Sequence, residues 1–566
     1  MKMIYRDIYE TIDQSISDSQ IGGRKTKNIR NHVWVLNSII IVTLSTKKKK
    51  PIDVQIYDYK QCFDSLWLEE CLNDMYAGGL TNEKLNLIHS ANKLVKIVVK
   101  TPIGKTASEV IKNVVIQGDV LGTMLCSKQV DLFGKDCIEE NKHTYLYKNE
   151  IEIPPLTMID DVICISECGY KSVMVNSFME SKTSSKKLQF GTKKCKKMHI
   201  GKTHESYKCH SLFVDRWERT EISGNIDEIC VGKEEMEETK EEKYLGDVIS
   251  CDGRNFKNIK ARVSKGKGIV QRICNTLEDI PFGKLFYEIA LILRNTLLVS
   301  SVLCNIETWC NLTKSELELI ETVDTMLLRK LFNTPKTTPK EILFLELGIN
   351  PLREIIRQRR QNFLKYILDQ RADSIMFKVF EKQCEIRTKK DWVTTILNDL
   401  EELNMKLNFV DIQEMSKEKW KSIVKQNIKE HTFRKLMERK ENHSKIKDLV
   451  YSKFEMQDYL KPGSQIITRK EIEFIFKLRS KMVNIKANYK GSQKTITCSS
   501  CNNGEETQEH IFNFCEVINK EAPEKVPKKE DYNLINTGNI AEKLKVAKLF
   551  IQRLKIHEKY FKEGKL

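Results

Sequence analysis

Between Pro154 and Ser166 the chain reads PPLTMIDDVICIS, two apolar half-strands joined through adjacent acids. The flanking residues demand burial, whereas Asp160 and Asp161 repel one another unless a cation sits beside them. The pattern predicts a tight hairpin with paired carboxylates at its tip. A second element, PIDVQIYDYKQCFDSLWLEECL from Pro51 to Leu72, places another acid in a comparable position. Val54, Ile56 and Asp58 share one face of a strand by period two. The apolar spacing then changes to Leu66, Leu68 and Leu72, as on a helix. Asp58 therefore lies where strand hands over to helix, a place suited to a ligand. Each feature taken singly is most often an ordinary turn; their order along the chain gives them weight.

Lys and Arg number 95 against 78 Asp and Glu, leaving +17 over 566 residues. A field of that sign suits a polyanion better than a small neutral substrate, so nucleic acid leads the partners. The length corresponds to roughly three to four domains. Apolar residues at 40%, with 24 Gly and 11 Pro, exclude a disordered or low-complexity chain. The opening MKMIYRDIYE carries charges where a signal peptide needs an apolar run. The most apolar stretch, Ile289 to Leu303, is broken by Arg294 and Asn295, so no membrane span is expected. The expected compartment is nucleus or cytoplasm. There, 17 cysteines read as reduced core thiols, Cys62, Cys126 and Cys164 among them, plus one metal site.

The first 250 residues mix β-rich runs with helical patterns, and the proline-free Leu352 to Lys461 is free to be helical. The basic TKKKK at Thr46 to Lys50 and the acidic KEEMEETKEEK at Lys233 to Lys243 read as solvated loops. RNFKNIKARVSKGKGIVQR, Arg254 to Arg272, holds basic residues and no acid. Lys257, Lys260, Arg262 and Lys265 are expected to cover one broad side of a helix facing a phosphate backbone. Near the end, Cys498, Cys501, His510 and Cys515 give C-x2-C-x8-H-x4-C. Two ligands on a tight turn, then His and Cys about a helical turn apart, can close a structural tetrahedral Zn²⁺ site.

The motifs resemble, in order, those of the reverse transcriptases of non-LTR (LINE-type) retrotransposons. SDSQIGGRKTKNIRNHVWVLNSII, Ser17 to Ile40, is similar to the fingers segment through Gln20, Gly22 and Arg24. YDYKQCFD, Tyr57 to Asp64, matches the first palm motif. IQGDVLGTML, Ile116 to Leu125, matches the template-and-nucleotide motif through Gln117, Gly118 and Leu121. MIDD, Met158 to Asp161, occupies the place of the aromatic-Ala-Asp-Asp box. KKLQFGTKKCKKMHIGK sets Lys194 at the centre of the lysine motif, and KYLGDVIS, Lys243 to Ser250, is similar to the strand that grips the primer. NIETW, Asn305 to Trp309, and Leu345 to Leu368 resemble the thumb and connector.

This resemblance implies an α+β fold: a right-hand polymerase palm with partial fingers, then a helical thumb and connector and a small zinc knuckle. The expected segments are partial fingers 1–50, palm 51–250, thumb 251–370, connector 371–480, knuckle 481–520, and linker with a C-terminal helix 521–566. Only Met1 to Ser19 precede Gln20, so the chain is expected to start within the fingers, N-terminally truncated. The implied activity is RNA-directed DNA polymerisation by two-metal nucleotidyl transfer onto a primer 3′ hydroxyl. Its partners are an RNA template, a DNA primer and deoxynucleoside triphosphates. Asp58, Asp160 and Asp161 would hold two Mg²⁺, and Lys194 would meet the leaving pyrophosphate. Phe63, Gln117, Gly118 and Arg24 would contact nucleotide or template. The alternative is an inactive remnant that binds RNA or DNA through its basic groove and zinc knuckle.

Overall fold

The computed structural model describes residues 2–45, 50–92, 95–111, 115, 118–139, 144–202, 209–222, 225–280, 285–461, 468–488, 495–523 and 526–563. Thr46 to Lys49 of the TKKKK run, and Gln117, lie outside them. The chain forms two compact units: residues 1–258, 307–311 and 363–398, and residues 259–306, 312–362 and 399–566. Helix and sheet mix in the first; among the described residues the second is helical.

The first unit is built on a five-stranded sheet of β1 (Ile52–Asp58), β2 (Leu156–Met158), β3 (Asp161–Glu167), β4 (Lys196–Ile200) and β5 (Glu237–Glu238). The spatial order is β5-β4-β1-β3-β2. Strand β1 is antiparallel to both β3 and β4, while β5 joins β4 in parallel. Ile52, Val54 and Tyr57 on β1 are buried, and so are Asp53 and Gln55, because both faces of the strand are covered. Tyr57 and Cys164 pack with Leu125 and Val130 of the helix Val120–Glu139 and with Val175 and Met179 of the helix Tyr170–Ser185. Cys62 and Cys126 join this core. The central strand is thus fixed to the covering helices by apolar contact and by polar pairs such as Gln55 Nε2 to the Ser172 carbonyl, 3.0 Å, on the helix Tyr170–Ser185.

Residues 307–311 and 363–398 belong to this unit through specific contacts. Trp392 meets Trp34 edge-on at 5.6 Å and donates from Nε1 to the Glu307 carbonyl at 2.8 Å. Arg30 reaches the Glu307 carboxylate at 2.7 Å.

The acidic Lys233 to Lys243 departs from the expected loop. It runs through the end of the strand Asn225–Glu235, β5 and the strand Glu241–Tyr244. Lys196 on β4 draws it in, pairing with Glu242 at 2.8 Å and Glu237 at 3.8 Å. Charge complementarity here turns a polar run into a sheet edge.

In the second unit, Thr313 and Glu316 close a capping box at the start of the helix Lys314–Leu331. Arg294, which interrupts the apolar stretch, is buried and grips Asp324 with two bonds of 2.6 Å. Such a bidentate pair satisfies a charge that burial would otherwise penalise. Glu346 is likewise buried and accepts from Tyr451, Tyr459 and Arg479 at 2.5, 2.6 and 2.9 Å. No helix among the described residues is long and apolar enough to cross a membrane.

Candidate active site

Strand pairing brings the carboxylates together. Asp58, the last residue of β1, is the cross-strand partner of Asp161, the first residue of β3, and Met158 pairs with Asp161 to close the hairpin. Directly opposed residues on antiparallel strands lie about 5 Å apart. Asp160 occupies the tip between β2 and β3. Partial burial, then the charges of Asp160 and Asp58, push Asp161 up to about 6; burial and Asp58 also raise Asp160. The three acids line one edge of the sheet.

Lys194 lies on the turn before β4, and its Nζ meets Asp58 Oδ1 at 2.8 Å. That contact raises the ammonium's pKa, so it stays charged. Two backbone bonds hold the turn: Gly191 N–H donates to the Asp58 carbonyl at 2.8 Å and Lys194 N–H to the Gly191 carbonyl at 2.8 Å. Phe63 follows on the short helix Cys62–Ser65 and is partly buried against the core. Gly118 is exposed with φ +89°, and a Cβ there would meet nothing within 4 Å.

The hairpin tip is strained and held. Ile159 adopts φ +59°, costly for a β-branched residue. Its N–H donates to Gln20 Oε1 at 3.0 Å, and Gly22 N–H donates to the same oxygen at 2.8 Å. Gln20 is fully buried, and a Cβ on Gly22 would approach Ile159 to 2.5 Å. Ser19 and Ile21 extend the clamp by exchanging backbone bonds with Thr157 at 2.9 and 3.0 Å. The Gln-x-Gly spacing therefore fixes the acid-bearing turn, a positioning role for Gln20 that spacing alone did not reveal.

Two expected site residues are placed otherwise. The Arg24 guanidinium bonds Asp13 Oδ1 at 2.9 Å and the carbonyls of Ser17 and Gln20 at 2.7 and 3.1 Å. It braces its own loop. Arg262 is buried and donates to the carbonyls of Val302 and Cys304. At 100° per residue it falls beside the apolar stripe of Ile259, Val263, Val270 and Ile273 on the helix Phe256–Glu278. Lys257, Lys260 and Lys265 are exposed on that helix, and Lys257 pairs with Glu241 at 2.6 Å.

The cysteine cluster closes. Cys498, Cys501, His510 and Cys515 bring one ligand atom each within 4.8 Å of one another. Cys498 and Cys515 sulfurs are 3.9 Å apart, and Cys501 Sγ is 3.3 Å from His510 Nε2. Edges near about 3.8 Å are what four bonds of roughly 2.3 Å to Zn²⁺ require. The turn is made by Asn502 at φ +52° and Gly504 at φ +75°, with Cys498 N–H on the Gly504 carbonyl at 3.0 Å. The spacing did not reveal Glu506 and His557, which stand against Cys498 with His557 Nε2 and Glu506 Oε2 3.3 Å apart.

Residues 1–249 match the family profile described as reverse transcriptase (RNA-dependent DNA polymerase). No curated protein matches the chain. Among solved structures, telomerase from Candida tropicalis, in complex with a TWJ fragment of telomeric RNA, is 12% identical with a TM-score of 0.32 over 77% of this chain and 56% of that one. Telomerase from Candida albicans, in complex with the same kind of fragment, is 13% identical with a TM-score of 0.32 over 75% and 56%. The chain thus spans little more than half the length of those telomerases. The family profile covers the sheet, the carboxylate edge and Lys194, and residues 1–249 are a reverse transcriptase domain.

Proposed function

We propose that the chain is the RNA-directed DNA polymerase of a non-LTR (LINE-type) retrotransposon, extending a DNA primer on an RNA template with deoxynucleoside triphosphates. The pairing of Asp58 with Asp161, with Asp160 at the adjoining tip, carries this reading. A carboxylate edge that repels itself and faces solvent fits hard divalent cations such as Mg²⁺, which take few protein oxygens and keep waters. When bound, two Mg²⁺ supply the charge neutralisation and alignment that in-line phosphoryl transfer needs. Asp58, Asp160 and Asp161 offer the oxygens. Lys194 stays charged and reaches the same edge, so it can release Asp58 and meet the leaving pyrophosphate. Phe63 would underlie the incoming sugar, and Gly118 leaves room for nucleotide or template to approach backbone.

Lys257, Lys260 and Lys265 serve the hybrid duplex by phosphate attraction. Cys498, Cys501, His510 and Cys515 hold a structural Zn²⁺ as a knuckle. The purified chain with Mg²⁺, a primed RNA and deoxynucleotides should extend the primer, and Asp160→Ala should abolish extension. Extension that survives the substitution refutes the site. RNA binding without extension by the wild type supports a binding remnant instead.

A further inference from the structure

Strand β1 carries a second set of ligand-type side chains at its other end, five residues and about 17 Å from Asp58. Asp53 on β1 is the cross-strand partner of His199 on β4. Cys168 follows β3, tied there by its N–H on the Pro51 carbonyl at 2.9 Å. Cys209 comes from the chain beyond β4. His199 Nδ1 lies 2.9 Å from Asp53 Oδ1 and 3.4 Å from Cys209 Sγ, and Cys209 Sγ lies 3.4 Å from Cys168 Sγ. All four ligand atoms fall within 4.8 Å of one another. We propose that Asp53, Cys168, His199 and Cys209 form a second Zn²⁺ site, a structural staple at the root of the sheet.

The donor set argues for zinc. One imidazole, one carboxylate and two thiolates are borderline-soft ligands in the number that tetrahedral Zn²⁺ takes. The observed separations are a few tenths of an ångström short of the edges such a tetrahedron needs, so small outward shifts of the four side chains would seat an ion. Asp53 is fully buried, and its Oδ2 has no hydrogen-bond partner among the described residues. Leaving a buried carboxylate oxygen unsatisfied is costly, and a bound cation removes that cost. Binding would release the two thiol protons, and the imidazole would bond the ion through an unprotonated nitrogen. The ion would join β1, β4, the end of β3 and the segment after β4.

The test is the zinc content of the full chain, purified with Zn²⁺ and without chelator, measured by inductively coupled plasma mass spectrometry. The wild type should hold two zinc ions per chain, and Cys209→Ser and Cys501→Ser should each remove one. Wild-type zinc that Cys209→Ser leaves unchanged overturns the proposal. Loss of one ion in Cys209→Ser but none in Cys501→Ser supports it and faults the knuckle instead. Because content alone misses a site that misfolds, Co²⁺ is titrated into the Cys501→Ser chain. Thiolate-to-Co²⁺ charge-transfer absorption that Cys209→Ser abolishes supports the site, and its absence overturns it. A Cys168–Cys209 disulfide recovered from protein purified in this way also overturns it.

Discussion

Replacing Asp161 by Asn removes a charge that the metal-free fold holds against two neighbours. Held at about 6 against the ordinary 3.8, the ionised form is disfavoured by about 3 kcal/mol at neutral pH. Solvent reaches this side chain, and screening cuts the figure to about 1 kcal/mol. Because the folded-state value is raised, the stabilising protonated form is fully present below 3.8 and is lost as pH climbs through about 6. Asparagine keeps the neutral state throughout. In EDTA at pH 7.5, Asp161→Asn should therefore melt roughly 1–2 °C above the wild type, and near pH 4 the difference should close. Mg²⁺ should then raise the wild type more than the variant, since it binds the folded carboxylate edge. Differential scanning calorimetry reads all three. A variant equal to or below wild type in EDTA at pH 7.5 refutes the repulsion argument, as does an equal Mg²⁺ shift in both proteins.

Gln20→Ala leaves the N–H groups of Ile159 and Gly22 without their acceptor, at about 1–3 kcal/mol each; primer extension should lose kcat while RNA affinity, read by fluorescence anisotropy, is kept. Burial lowers His32 to about 3, so its neutral form stabilises the fold above pH 6.5 and that contribution is lost as pH falls toward 3. Between pH 7 and 5 the wild type should lose up to about 2 kcal/mol relative to His32→Gln in urea titrations, with Asp18 and Lys27, the charges facing His32, present in both. Cys501→Ser or a strong chelator should lower the melting temperature by uncoupling the cysteine turn, and circular dichroism should show no change if the cluster binds no metal.

How much was legible depended on whether a feature is local. The alternation through VQIYD and VICIS dictated strands whose apolar faces must be buried, and their ends then carry Asp58 and Asp161 into register. The helix Phe256–Glu278 and the four-ligand spacing of the cysteine turn were equally local. The partners of Arg24 and Arg262 are set by tertiary packing, here Asp13 and the carbonyls at Val302 and Cys304, and no local spacing announces them. The acidic run became strand because Lys196, far off in sequence, lies beside it. Gln20 and the Asp53–His199 pair act across strands from distant segments, and no period or spacing within either segment announces such a meeting.

In the proposed polymerase Asp58 and the Asp160–Asp161 tip share bound divalent cations, which iron-directed cleavage can detect. Fe²⁺ exchanged into the site with ascorbate and peroxide should cut the backbone near both Asp58 and Asp160, both cuts should fade as Mg²⁺ is added, and Asp160→Asn should remove them together. Cleavage at one locus alone, or cuts indifferent to Mg²⁺ and to Asp160→Asn, would contradict a shared metal site.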